Sequence, residues 1–449
     1  MESIITLIII ISYLIILSII GVLSTNKIKN SNDFFLADRS VKKFALISTI
    51  TATTVGASAT IVAGGRIYAE GLPALWYDLA GGLGLIALGI FLAKKVRKTG
   101  LFTLPDLAGS IFDKRVRFAS SILIIITEIA WVSLLIQACS LILSVVLPVE
   151  IEYTIILVLT TFVFIIYTIL GGQYAIVYTD IIQFLIMLIG ICCIAAPLLF
   201  IQALPSIGNL SSESLAFPVN ENIGFIGAAS IFFMMFLPHV VGPDIYSKLL
   251  SAKDEKTAKT AAIFSGIFKL IFAIAISIIS LSALILYPDL SQPYNVIPTA
   301  VFNLSPLIAG FILAAFISAM LSSADSCLLS VGTIISIDIL KNKDINISRF
   351  GILIVGFLAL GLALYLGNIL KTLELAYTIF TAGLTIPIVF GFYKEKTHVS
   401  AKGALYSLIF GGGISIVWLF IGNPYDIDAV LIGMVCSLLP LLLFREVKK

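Results

Sequence analysis

The sequence predicts an all-α polytopic membrane protein, on the basis of its composition, its long apolar runs and the distribution of its charges. Hydrophobic residues make up 59% of the chain and charged residues 12%, whereas a soluble globular domain carries about 25% charged residues. Apolar runs of about 20 residues, the length that crosses a bilayer as a helix, recur from one end of the chain to the other. The basic residues lie between these runs, so membrane topology rather than nucleic-acid binding explains the net charge of +3.

Thirteen transmembrane helices are predicted, and together they form one membrane domain over residues 1–449. The first run is too long for the apolar part of a typical signal peptide and has no convincing cleavage site, so we interpret it as a helix. The expected helices are 4–22, 44–65, 75–93, 118–147, 153–170, 176–201, 223–246, 261–287, 298–329, 350–366, 370–393, 404–421 and 429–444.

The lysines and arginines give the predicted orientation of these helices. Of the 28 basic residues, all except Arg66, Lys269 and Lys371 fall on one side of the membrane. Their clusters are 27–43, 94–117, 248–259, 341–349, 394–402 and 445–449. Short cytoplasmic loops collect lysine and arginine, so the N-terminus is expected outside the plasma membrane and the C-terminus in the cytoplasm.

Two of the predicted helices contain residues that interrupt a helix. Helix 44–65 has threonines and Gly56 at its centre. Helix 223–246 contains Pro238, Gly242 and Pro243, and proline breaks or kinks a helix. Unwound backbone persists at membrane depth only in a cavity or inside protein, and a matched pair of such helices indicates a transporter binding site. Close helix packing through small residues and a plain proline kink are the alternative interpretations.

The interrupted helices occupy corresponding positions in two blocks of five helices, 44–201 and 223–393. An odd number of crossings per block inverts the second block relative to the first. One helix, 4–22, precedes the blocks, and two helices within 404–444 follow them. That the two blocks share one fold is a hypothesis.

An oxygen-rich patch is predicted in the apolar segment 311–330. It carries Ser322, Ser323, Asp325 and Ser326 in adjacent turns. A carboxylate at a membrane helix centre costs about 2.5–3.5 kcal/mol, and hydroxyls beside it suit a small hard cation. Serines that hydrogen-bond the preceding turn of their own helix are the alternative. The patch indicates a protein that handles an ion inside the membrane.

Four motifs between Asp33 and about Phe392 resemble those of the sodium:solute symporter family. They are FFLADRS at 34–40 (with Asp38 where the family usually has glycine), GGQYAIVYTDIIQ at 171–183, GPDIY at 242–246 followed by SAK at 251–253, and SSADS at 322–326. The resemblance implies a LeuT-type fold, a 5+5 inverted repeat with one extra N-terminal and two extra C-terminal helices. It also implies sodium as the coupling ion and no other cofactor.

The resemblance implies a central sodium site between two of the predicted helices. By motif position its ligands are the carbonyls of Ala57 and Thr60, the carbonyl of Ala319, and the hydroxyls of Ser322 and Ser323. The residue spacing agrees, because Ala319 lies three and four positions before the serines and therefore shares their helix face. Unwinding near a glycine would free carbonyls in the first of the two helices.

A second sodium site is an open alternative. In some members of the family the residue matching Asp180 binds a second sodium with hydroxyls of the serine-rich helix, where Asp325 and Ser326 lie here. Two neighbouring carboxylates could also hold one cation or share a proton. Otherwise Asp180 is an interfacial carboxylate paired with a basic loop.

The LeuT-type arrangement also implies a solute pocket, whose candidate residues are Ser58, Ile61, Tyr77, Gln137, Met235, His239 and Lys269. Lys269 is a basic residue deep in a membrane segment, so it must reach the interface or be neutralised by solute or a carboxylate. Gln137 could bind solute or brace a helix, and His239 could be structural.

The position of Met235 carries an amide in sugar-transporting members, so an amino acid or monocarboxylate is favoured over a sugar. Half-helix N-termini also favour anionic groups.

The predicted function is therefore a sodium-coupled secondary symporter that imports a small organic solute by alternating access. Its expected partners are the lipid bilayer, sodium and the solute, with no nucleic acid; the oligomeric state stays open. The alternative is proton coupling through Asp180, Asp325 or His239. An intramembrane enzyme is disfavoured because the two histidines, His239 and His398, form no catalytic cluster with acidic residues.

Overall fold

The computed structural model describes residues 2–25, 28–147 and 151–446, and these residues fold into a bundle of helices. Lys27, Lys448 and Lys449, assigned above to the cytoplasmic side, lie outside the described residues. The main helices are α1 (Glu2–Thr25), α2 (Lys43–Thr54), α3 (Ser58–Glu70), α4 (Leu72–Phe91), α5 (Lys114–Val146), α6 (Tyr153–Asn209), α7 (Phe225–Val240), α8 (Pro243–Ser251), α9 (Glu255–Leu286), α10 (Pro306–Ile339), α11 (Ile345–Leu366), α12 (Ile369–Phe392), α13 (Ala401–Phe420) and α14 (Ala429–Leu443).

The lengths and apolar character of these helices define a polytopic membrane protein. Within the described residues, ten helices are long and apolar enough to cross a membrane, or eleven if the bent pair α2 and α3 counts as one span. The 57-residue α6 would be roughly 85 Å long if straight, far beyond the ~30 Å hydrocarbon core of a bilayer. It is interrupted at Gly172, whose φ of 54° and ψ of −173° are not helical. An added Cβ there would lie 2.6 Å from the ring of Phe34, so glycine also permits close packing.

The first predicted helix interruption is confirmed. The helix stops at Thr54 and resumes at Ser58 as α3, with a bend of 59° between the two segments. An added Cβ on Gly56 would lie 2.5 Å from Oγ of Ser323 on α10. Glycine thus allows the break and the close approach of a second helix at the same point.

The second predicted interruption is also confirmed, but at the glycine rather than at the first proline. Pro238 lies inside α7, which continues to Val240. Val241 has φ −136° and ψ 68°, and Gly242 leads into α8 with Pro243 at its first turn. Proline is favoured there because the first helical N–H needs no partner within the helix.

Helix α10 is the centre of the bundle. In its most apolar 18-residue window 83% of the residues are buried, compared with 28% in α1 at the periphery. It packs against α1, α2, α5, α6, α8 and α11. Since α10 carries the serine-rich segment, the oxygen-rich patch is enclosed by protein rather than facing lipid.

Candidate functional site

The broken helix α2 and the serines of α10 meet at the middle of the bundle. The hydroxyl of Ser322 donates to the carbonyl of Ala52 at 2.8 Å, and that of Ser323 donates to the carbonyl of Thr53 at 2.7 Å. The Ser323 hydroxyl also lies 2.9 Å from the carbonyl of Ala319. The two helices are therefore joined through serine hydroxyls instead of through apolar packing alone.

These contacts follow from the break. The last carbonyls of a helix have no N–H partner in the next turn, so Ala52 and Thr53 are left to find donors elsewhere. The serine hydroxyls supply the donors, and all of the participating residues are buried. Five oxygens, from three carbonyls and two hydroxyls, thereby lie close together among buried residues. Neutral oxygens of this kind are ligands for a hard cation such as sodium.

The structure places Ala57 and Thr60, the expected carbonyl ligands, on the other side of the break. The Ala57 carbonyl accepts the N–H of Val62 at 3.0 Å and that of Thr60 at 3.4 Å, and the Thr60 hydroxyl donates to Gly56. Ala57 thus precedes α3 as its N-cap residue, and Thr60 lies in the first turn of α3. A break frees the carbonyls of the turn before it. That Ala57 and Thr60 supply carbonyl ligands stays a prediction.

Asp180, Asp325 and Ser326 form a second polar cluster beside the first. The hydroxyl of Ser326 lies 3.2 Å from Oδ1 of Asp325 and 3.0 Å from the hydroxyl of Thr53, which links the two clusters. Asp180 accepts the hydroxyl of Thr49. Oδ2 of Asp325 has no hydrogen-bond partner within the described part of the chain.

Lys248 completes this second cluster, and sequence reasoning missed it. Its ammonium lies 3.3 Å from Oδ2 of Asp180, and both side chains are at most 1% exposed. The sequence placed Lys248 in a cytoplasmic basic cluster, but α8 continues to Ser251 and carries the lysine into the bundle. The expected partner of Asp180, a basic loop, is thus a buried helical lysine.

Lys269 is neutralised by a carboxylate that the sequence analysis did not select. Its ammonium lies 2.8 Å from Asp78 of α4, and both side chains are 1% exposed. It also donates to the carbonyl of Thr54 at 2.6 Å, the last residue of α2. The lysine therefore does not extend to the membrane surface. It holds the end of the broken helix and is itself held by Asp78.

A small cavity lies between the two helix breaks. Its volume is about 50 Å³, and its walls include Ser58, His239, Asp244 and Ser323. The aromatic side chains of Trp131 and Tyr377, whose ring centroids are 5.2 Å apart, also line this cavity. The hydroxyls of Ser58 and Tyr377 lie 2.9 Å apart. Ser58 and His239, two of the expected solute residues, therefore line a cavity that also touches the serine cluster.

The other expected solute residues lie elsewhere. Gln137 donates to the hydroxyl of Thr372 at 2.9 Å and so braces α5 against α12. Ile61 and Met235 are fully buried, the latter with its carbonyl bound by Nδ1–H of His239 at 2.6 Å. Tyr77 lines a separate, larger cavity of about 260 Å³ with Arg66 and Glu374.

Two broken helices whose breaks line one cavity are typical of a secondary transporter with the LeuT-type fold. A solved structure with the same fold is that of a Na⁺-coupled sialic acid symporter in a substrate-bound outward-open state. The TM-score is 0.82 at 18% sequence identity, and the superposition covers 98% of this chain and 96% of that chain. Mhp1, a transporter of the nucleobase-cation-symport-1 family in a closed conformation, gives a TM-score of 0.61 at 14% identity, with 91% and 93% covered.

The chain belongs to the sodium:solute symporter family, whose model matches residues 34–411. A sodium/proline symporter of Staphylococcus aureus is 25% identical over 456 residues, covering 92% of this chain and 86% of the relative. High-affinity choline transporter 1 of Drosophila melanogaster is 26% identical over 437 residues, covering 89% and 68%. The resemblance drawn from the motifs is confirmed. The protein is a multi-pass membrane transporter, not an enzyme, and sodium is its coupling ion.

Proposed function

We propose that this symporter imports a small organic solute by alternating access, with its coupling sodium bound between the last turn of α2 and the serines of α10. The observation that supports this site is the direct contact of the Ser322 and Ser323 hydroxyls with the freed carbonyls of Ala52 and Thr53. A hydroxyl has one proton and two lone pairs, so the same serines could turn their lone pairs toward an ion. The proposed ligands are the Ala52, Thr53 and Ala319 carbonyls and these two hydroxyls.

Sodium at this position would couple ion and solute through the breaks. It would tie α2 to α10 and so favour the outward-open state, and Ser323 also lines the cavity in which solute would sit. Closure of the two repeats around a loaded site would then carry both toward the cytoplasm. Each sodium ion that enters gains about 2.3 kcal/mol per 100 mV of membrane potential, in addition to its concentration gradient.

We further propose that the second cation position, at Asp180, Asp325 and Ser326, is filled by the ammonium of Lys248 in the described conformation. The 3.3 Å contact of Lys248 with Asp180 supports this assignment. A second sodium would bind only if the lysine moved away. Proton coupling through the same carboxylates is the second candidate mechanism, and the unpartnered Oδ2 of Asp325 favours it.

For the topology we propose thirteen crossings. The pairs α2 with α3 and α7 with α8 each count once, α6 crosses twice around Gly172, and α14 is the last span. The inverted repeats are residues 44–201 and 223–393, flanked by 4–22 and by the two helices within 404–444. The clustered basic residues support an extracellular N-terminus and a cytoplasmic C-terminus in the plasma membrane.

A ligand screen on the purified protein tests the function. Proline, other amino acids, choline, monocarboxylates and sugars are each added in sodium and in potassium, and the melting temperature is measured. A ligand that binds only the folded state raises its stability, so the transported solute should raise the melting temperature in sodium more than in potassium. Equal shifts in the two salts would contradict sodium coupling at the solute site. Uptake into proteoliposomes that follows pH and ignores sodium would support the proton alternative.

A further inference from the structure

We infer that the solute carries a positively charged amine, and that Asp244, supported by Glu128, is its counter-charge in the cavity between the helix breaks. The inference rests on the proposed function and adds the chemical class of the solute. It concerns two carboxylates that neither sodium site uses.

Asp244 is positioned to meet a solute. It lies in the first turn of α8, directly after the second break, and forms part of the cavity wall. The ammonium of Lys248, one turn further along α8, forms an ion pair with Asp180 instead. Asp244 therefore brings a negative charge to the cavity, and the nearby lysine is already paired.

Glu128 supplies a second carboxylate behind the same wall. It is fully buried on α5, and neither of its oxygens has a hydrogen-bond partner within the described ranges. It interacts electrostatically with Asp244 and lies beside Cys327, which lines the cavity. Trp131 follows one helical turn later and also lines the cavity, so Glu128 is on the cavity-facing side of α5.

A fully buried carboxylate next to a half-buried one, without a cation, is costly in the membrane interior, and such groups normally pair with a charge of opposite sign. The cavity walls contain no lysine or arginine among the described residues. Lys269 is close by but is bound to Asp78 and to the end of α2. The missing positive charge must come from what enters the cavity. An anionic solute would meet two like charges there and, among the described lining residues, no lysine or arginine.

The rest of the cavity wall favours an organic cation over a bare metal ion. The rings of Trp131 and Tyr377 line the same cavity as Asp244, and aromatic rings attract ammonium groups, whereas sodium prefers a shell of oxygens. The volume of about 50 Å³ is room for only a few water molecules, so the head group must be compact. A small amine or the ammonium end of an amino acid fits these conditions, and a monocarboxylate or sugar does not.

The first test compares ligands of similar shape with and without an ammonium group on the wild-type protein. Choline is paired with 3,3-dimethyl-1-butanol, and L-proline with cyclopentanecarboxylate, each in sodium. Melting temperature and uptake into proteoliposomes are measured. At least one of the two amines should bind at least tenfold more tightly than its partner without the ammonium. Preference for the uncharged alcohol or the carboxylate would overturn the inference while leaving sodium-coupled transport intact.

The second test uses Asp244→Asn and Glu128→Gln, which keep side-chain shape and remove charge, with the exposed Asp289→Asn as a control. Sodium alone should stabilise all three variants as it does the wild type, while Asp244→Asn and Glu128→Gln weaken amine binding at least tenfold. If Asp244→Asn instead abolishes stabilisation by sodium without solute, Asp244 belongs to an ion site and the inference is wrong. If no ligand of any class binds in sodium, that result contradicts the proposed function as well as the inference.

Discussion

Replacing Ser323 with alanine should weaken sodium binding strongly with only a moderate loss of stability. The hydroxyl contacts the carbonyls of Thr53 at 2.7 Å and Ala319 at 2.9 Å, and it is one of the five proposed sodium ligands. Without sodium, Ser323→Ala leaves a buried carbonyl without its donor, which costs about 1–3 kcal/mol. With sodium, the variant also loses a contact to a charged partner, for which we take about 1.5–3 kcal/mol by analogy with charged hydrogen bonds. At 1.4 kcal/mol per tenfold, this corresponds to a sodium affinity lower by roughly 10- to 150-fold.

The assay is a sodium titration of the melting temperature, followed by sodium-dependent uptake in proteoliposomes. Ser277→Ala is the matched control, because Ser277 is also buried in a membrane helix but donates only to Ala273 of its own helix, at 2.9 Å. The control should keep the wild-type sodium dependence. A Ser323→Ala protein with an unchanged sodium titration would refute the reasoning, whatever its expression level.

Three further substitutions test the surrounding contacts. Lys269→Met leaves Asp78 buried without its cation and should destabilise the protein by about 3–5 kcal/mol, whereas the double variant with Asp78→Asn should melt at a higher temperature than the single variant. Lys248→Met empties the proposed second cation position beside Asp180 and should raise the number of sodium ions transported per solute molecule. The measurement is the charge transported per solute molecule, and an unchanged ratio argues against the assignment. Gly56→Ala places a Cβ 2.5 Å from a serine hydroxyl of α10 and should lower sodium affinity, and a normal sodium titration would show that the two helices can separate freely.

The helix breaks and the serine cluster could be predicted from the sequence because their causes are local. A glycine followed directly by a proline, as at Gly242 and Pro243, disfavours continuation of a helix, and the SSADS segment brings several oxygens into adjacent turns. The carbonyls proposed above could also have been deduced. A break frees the preceding turn, which leads to Ala52 and Thr53, whereas the family resemblance leads to Ala57 and Thr60.

The partners of the buried charges could not be predicted, because they depend on how distant helices pack. Lys269 needed a carboxylate, but only the packing of α4 against α9 identifies Asp78. Lys248 looked like one more cytoplasmic lysine until the length of α8 placed it in the bundle. Gln137 had two equally reasonable roles, and its hydrogen bond with Thr372 of a distant helix could not be read from the sequence.

The proposed sodium site can be tested most directly by two high-resolution maps of the protein, one in saturating sodium and one in potassium. The account predicts a density peak bounded by the carbonyls of Ala52 and Ala319 and the hydroxyls of Ser322 and Ser323, in the sodium map alone. If those hydroxyls still donate to the Ala52 and Thr53 carbonyls in saturating sodium, with no peak between the two helices, the account is contradicted.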